Sequence, residues 1–109
     1  MIHEWLGSVV IDACNRCAEI CRNCARESAS MPDMDACVRL CTECSVICER
    51  IALAPKDVND ADIAECSAAC RDCAAECRRH DHGHCQLCAE TCLECETYFA
   101  ELNPATVIR

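Results

Sequence analysis

The residues most able to do chemistry in this 109-residue chain are its sixteen cysteines, and they are not scattered. They form four groups of four: Cys14, Cys17, Cys21 and Cys24; Cys37, Cys41, Cys44 and Cys48; Cys66, Cys70, Cys73 and Cys77; Cys85, Cys88, Cys92 and Cys95. Thiolate sulfur is a soft donor, which selects Cu(I), Zn(II) or iron–sulfur clusters. Spacing separates these options. The C-x2-C-x2-C-x3-C-P run of bacterial ferredoxins is absent. A structural zinc site pairs a C-x2-C from a turn with a second pair elsewhere, whereas here each C-x2-C continues into a longer regular series. Cu(I) accepts two or three thiolates, and a thiolate can bridge two ions, so capacity approaches one ion per cysteine, roughly 16.

Within each group the steps alternate between three and four residues. That alternation puts all four cysteines on one stripe of an α-helix, at a and d heptad positions; a strand would need steps of two. Side chains at i and i+4 lie about 5–6 Å apart at Cβ, close enough for two sulfurs to grip one ion. The four groups therefore predict four helices. Breaks fall between them: Ser28 to Asp33 with Pro32, Leu53 to Asp60 with Pro55, and the short run His80-Asp81-His82-Gly83-His84. Asn59 is placed to cap the third helix, with Asp62 in its first turn.

Short connections make neighbouring helices antiparallel, so the expected fold is all-α, an up-down-up-down four-helix bundle with a cysteine-lined core. Residues 1–103 form this single domain, and 104–109 are read as a coil tail. The step order agrees, since groups one and four run three-four-three and groups two and three four-three-four. Antiparallel placement then stacks four expected layers: Cys14 with Cys48, Cys66 and Cys95; Cys17 with Cys44, Cys70 and Cys92; Cys21 with Cys41, Cys73 and Cys88; Cys24 with Cys37, Cys77 and Cys85. Extending the heptads past one end reaches Val10, Ile51, Ile63 and Phe99, then Leu102, an apolar plug. The other end reaches Ser28, Met31, Met34 and His80, with His82 and His84 beside it. Thioether and imidazole gather there, so Met31, Met34, His80, His82 and His84 are candidate copper-admitting ligands at a mouth. His3 lies at the opposite end and is read as incidental.

Composition narrows the function. One Trp, one Tyr and one Phe leave an interior made mostly of sulfur and alanine. Free cysteine packs as a small hydrophobe, but a core selected for packing alone would use Leu, Ile or Ala, which do not oxidise. The net charge of −9 lacks the basic patch nucleic acid requires. The stretch MIHEWLGSVVIDAC has no Lys or Arg, and no segment approaches the roughly 18 apolar residues that span a membrane. The chain as written thus reads as cytoplasmic, where thiols stay reduced and metal binding is favoured over disulfides. No nucleophile–base pair stands apart, so catalysis is not expected. The alternative is a Zn(II)- or thiol-based sensor with helical cysteine sites, for which sixteen cysteines are excessive.

The runs CNRCAEICRNC, CVRLCTECSVIC, CSAACRDCAAEC and CQLCAETCLEC resemble those of the bacterial copper storage proteins, over about residues 10 to 102. The resemblance implies that the cysteines line a bundle core and bind many Cu(I) ions, for buffering, storage or detoxification. It also implies Met or His at the open end and assembly into homotetramers, with copper ions as the partners. Val46, Leu87 and Leu93 fall on outer positions that could serve such a contact.

Overall fold

Helix-favouring Ala, Glu and Arg spacers between the cysteines give four helices in the computed structural model, which describes residues 7–102. These are α1 (Ser8–Ser28), α2 (Asp35–Leu53), α3 (Asp60–Cys77) and α4 (Gly83–Leu102). His3, the side chain of Leu102 and the tail 104–109 lie outside the described residues.

The helix ends follow local chemistry. Gly7 sits extended before α1, and its carbonyl accepts the N–H groups of Val10 and Ile11. Between α1 and α2, Pro32 lies in the turn and Asp33 takes a left-handed φ of 60°. Pro55 opens a single 3-10 turn, Pro55–Asp57, after α2. The cap of α3 is reciprocal: the Asn59 side chain accepts the Asp62 N–H at 2.9 Å, and the Asp62 carboxylate accepts the Asn59 N–H at 3.1 Å. At α4 the His82 carbonyl accepts the N–H groups of Cys85 and Gln86.

α1 packs on α2 and α4, and α3 packs on the same two, so α1 and α3 lie diagonally opposite. This is the expected up-down-up-down bundle. Small buried residues flank the cysteine stripes: Ala18 on α1, Ser45 on α2, Ser67 and Ala74 on α3, Ala89 on α4. Their size lets the helix axes approach closely enough for facing thiols to meet. Outside, Arg22–Glu49, Arg50–Glu65 and Arg71–Glu96 join successive helix pairs. Such exposed pairs contribute about 0–1 kcal/mol each, so they trim register more than they hold the fold.

Phe99, Ile51 and Ile63 are the largest fully buried side chains, and all sit at the end of the bundle that carries residue 7. With Val10 they make the expected plug. Val58, only 3% exposed, joins the core from the α2–α3 connection. Its position outside any helical period hid it from the heptad reading.

Candidate metal centre

All sixteen cysteines are free and buried, with at most 1% exposure. Each is carried inward by the alternation of three and four residues that keeps a stripe on one helix face. Their sulfurs form a connected column. From the end that carries His84, Cys85 meets Cys24 at 3.9 Å, Cys24 meets Cys77 at 4.0 Å, and Cys77 meets Cys41 at 3.6 Å. Contacts continue from Cys41 to Cys88 at 3.7 Å, to Cys21 at 3.6 Å and to Cys92 at 3.5 Å. The path then runs through Cys44 at 3.9 Å and Cys70 at 3.8 Å to Cys48 at 4.0 Å and Cys66 at 3.6 Å. No step in this path exceeds 4.0 Å.

The expected layers are visible in contacts such as Cys41–Cys73 at 3.5 Å and Cys17–Cys92 at 3.8 Å. Four of the five compact groups suited to a metal, however, cross between layers, while the fifth, a triad, is three members of the expected Cys24/Cys37/Cys77/Cys85 layer. The five are Cys17/Cys21/Cys44/Cys92, Cys17/Cys48/Cys70/Cys95, Cys21/Cys73/Cys88/Cys92, Cys24/Cys41/Cys77/Cys88 and the triad Cys24/Cys37/Cys85, with sulfurs within 4.8 Å of one another. None of these coincides with a full layer. The reason is that an i, i+4 neighbour is as near as a cross-bundle partner: Cys17–Cys21 and Cys37–Cys41 are both 3.9 Å. The triad is nearly equilateral, with edges of 3.9, 3.9 and 4.0 Å.

Thiols this close share protons as S–H···S bonds. Their mutual hydrogen bonds move the thiols in both directions: Cys14 is lowered to about 6 by hydrogen bonds with Cys66 and Cys95. Cys17, Cys73 and Cys88 are lowered further, with Cys21 the leading partner of each, and Cys24 is lowered chiefly by Cys41. Others are raised, Cys70 chiefly through Cys17 and Cys66 chiefly through Cys14. Near the His84 end, burial pushes Cys85 up to about 12. A metal entering the reduced column must displace the protons these thiols share.

A cysteine-lined helical column of this kind has known relatives. Residues 5–103 match the family described as copper storage protein. The chain belongs to that family. A Bacillus subtilis (strain 168) relative, the cysteine-rich protein YhjQ, is 35% identical over 101 residues, spanning 84% of this chain and 91% of the relative. The Cu(I)-bound copper storage protein BsCsp3 superposes with a TM-score of 0.77 at 30% identity, over 85% of this chain and 93% of that one. A cytosolic copper storage protein from Streptomyces lividans, in a structure with five coppers, gives a TM-score of 0.81 at 32% identity, over 88% and 90% of the two chains.

Against this copper storage fold, the five candidate mouth residues separate into distinct environments. Met34 is buried at 3% exposure, and Met31 is partly buried against the core. His84 Nε2 is hydrogen-bonded to Ser28 Oγ at 3.1 Å, and that hydroxyl lies 3.7 Å from Cys37 Sγ and 4.0 Å from Cys24 Sγ. The exposed His82 ring stacks on His84, with centroids 5.5 Å apart. His80 is turned to the Glu76 carboxylate at 2.9 Å. Ser28 is the residue the sequence underweighted: its a position marked it as core-facing, but not as the link between imidazole and thiol. Among the described residues no helix is long and apolar enough to cross a membrane.

Proposed function

We propose that this protein stores Cu(I) as a multinuclear thiolate assembly inside the bundle, as the copper storage family does. The observation that carries this reading is the unbroken sulfur column: sixteen buried thiols, with neighbours 3.5–4.0 Å apart along the path from Cys85 to Cys66. Bridging thiolates along such a column raise capacity toward roughly 16 ions. A first-row metal–thiolate bond of about 2.3 Å sets the edge of a three-sulfur plane at about 4.0 Å, which the Cys24/Cys37/Cys85 triad matches with edges of 3.9, 3.9 and 4.0 Å. That triad is the first full site met from the mouth.

Copper is admitted at the end carrying Met31, Met34, His80, His82 and His84. His84, joined through Ser28 to Cys24 and Cys37, is the best placed of them. The protein acts by holding ions, without catalysis, as a single bundle domain over residues 1–103 followed by the tail 104–109. The cytosol is its compartment, in keeping with the cytosolic Streptomyces lividans neighbour. It assembles as a homotetramer, for which Val46 and Leu87, 56% and 39% exposed, offer apolar contact on the outer faces.

The deciding experiment is an anaerobic titration of reduced protein with Cu(I), followed by metal counting after gel filtration. Retention of more than about ten ions per chain against a competing Cu(I) chelator is expected. Saturation at one to four ions would refute storage.

A further inference from the structure

We infer that the four-thiol groups of this bundle also bind a tetrahedral divalent cation of the zinc–cadmium class, at two ions per chain. The inference starts from size. A tetrahedral ion with metal–sulfur bonds of about 2.3 Å needs sulfurs about 3.8 Å apart. In the Cys17/Cys21/Cys44/Cys92 group the observed edges include 3.9, 3.8, 3.5 and 3.9 Å. Cys21/Cys73/Cys88/Cys92 has edges of 3.5, 3.6 and 3.7 Å, and Cys24/Cys41/Cys77/Cys88 has 4.0, 3.6 and 3.7 Å. The edges given lie within about 0.3 Å of that tetrahedral spacing, and all sulfurs of each group lie within 4.8 Å of one another. A linear two-coordinate ion would instead spread its two sulfurs to about 4.6 Å, twice the same bond length, and would have to push contacting thiols apart.

The number follows from shared corners. Two of the four-thiol groups contain Cys17, and the other two contain Cys88. A sulfur fully engaged in one tetrahedral site is not available to the next. Only one group of each pair can therefore fill, as Cys17/Cys48/Cys70/Cys95 and Cys24/Cys41/Cys77/Cys88 do without sharing a thiol. Four ions, one per heptad layer, would need layers that the sulfurs do not form as separate cages.

Charge sets the rank of this binding. Each divalent ion takes four thiolates, releases four protons and leaves two negative charges in a buried site, held only by S–H donors around it. Buried charge of this kind is costly. One Cu(I) per thiolate leaves none, so Cu(I) displaces the divalent ion from the same sulfurs.

The test is an anaerobic titration of the reduced full chain with Cd(II), followed by sulfur-to-metal charge-transfer absorption and by counting bound metal. Two ions per chain are expected. Cys17→Ser or Cys88→Ser alone lowers the count to one, and the two together abolish it. Cys14→Ser with Cys66→Ser leaves two, because neither residue belongs to any of these groups. Any other count for the unsubstituted chain, including none or four, overturns the inference, as does a C17S/C88S chain that still binds Cd(II). Should C17S/C88S lose its helical circular dichroism, the single variants and the C14S/C66S count decide alone. Cu(I) capacity, measured in parallel, should fall in C17S/C88S by only about two ions of roughly 16. Failure with Cd(II) alone leaves copper storage standing.

Discussion

Replacing Phe99 with Ala tests how the metal-free bundle is held together. Phe99 is fully buried, and the other large side chains with it at the plug are Ile51 at 1%, Ile63 at 0% and Val10 at 6% exposure. The rest of the column is sulfur, so there is little neighbouring bulk to collapse into the hole. Truncating a buried Phe to Ala costs about 3–5 kcal/mol, and the upper part of that range applies here. Against a usual domain stability of about 5–15 kcal/mol, one side chain at the end of the bundle would carry a third or more of the total. With a urea slope of about 2 kcal/mol/M, the midpoint should fall by about 2 M. The assay is urea unfolding of reduced, metal-free protein followed by helical circular dichroism. Phe99→Leu should lose no more than about 1.5 kcal/mol, because most of the volume remains. Cu(I) capacity should stay unchanged, because no thiol is removed. Loading should also mask the defect, since a ligand that binds only the folded state adds RT ln(1 + [L]/Kd). A midpoint shift under about 0.5 M in the metal-free protein would refute the plug as a main source of stability.

Three further outcomes are expected. Asn59→Ala breaks the reciprocal cap with Asp62 and should cost about 1 kcal/mol of metal-free stability without changing copper capacity. Substituting Met31, Met34, His80, His82 and His84 together should slow copper loading in stopped-flow traces while leaving the final ion count nearly unchanged; unaltered kinetics would remove these residues from the admission route. Eleven thiols are held above their ordinary value of 9.0 in the folded chain, so their contribution is complete below pH 9 and is lost as pH climbs through the raised values. At up to about 1.4 kcal/mol per pH unit for each thiol, a few titrating together should unfold the metal-free bundle within about two units above pH 9. Helicity persisting well beyond pH 11 (an order-of-magnitude bound, about two units above the free thiol) would contradict this.

Much of this was legible in the residues because cysteine here obeys the same heptad rule as an apolar core. The three–four alternation places Cys14 through Cys24 on one stripe whatever the tertiary context, so four helices and their antiparallel order follow from it. The plug residues Val10, Ile51, Ile63 and Phe99 were reachable by the same extrapolation, and Asn59 by its distance from Asp62. The grouping of sulfurs was not. Heptad position fixes the height of a Cα along the bundle, whereas which sulfurs cluster depends on χ1 choices that move each Sγ up or down by an amount comparable to the gaps involved. That is why Cys21 pairs with Cys92 of the next layer at 3.5 Å. The histidines show the same limit. His80, His82 and His84 read as one cluster, yet Glu76 takes His80 while Ser28 takes His84.

The chemistry of the two ends of the column bears on how the bundle holds its cargo. At the plug, Phe99, Ile51 and Ile63 offer no donor atom, so an ion has nowhere to go past Cys14 and Cys66. Every inward step from Cys85 is between sulfurs no more than 4.0 Å apart. An ion can therefore pass from thiolate to thiolate without being released to water, keeping partial coordination throughout. On the proposed route of admission, departure retraces that path, and each inner ion waits on those nearer the mouth. The shared thiols Cys17, Cys21, Cys24, Cys88 and Cys92 sharpen this effect, because an ion leaving one group must pass through a sulfur that a neighbouring ion already bridges. Retention then arises from connectivity as much as from the strength of any single copper–sulfur bond. On the proposed route of admission, the triad Cys24/Cys37/Cys85, with Ser28 and His84 above it, is the first full site an arriving ion meets.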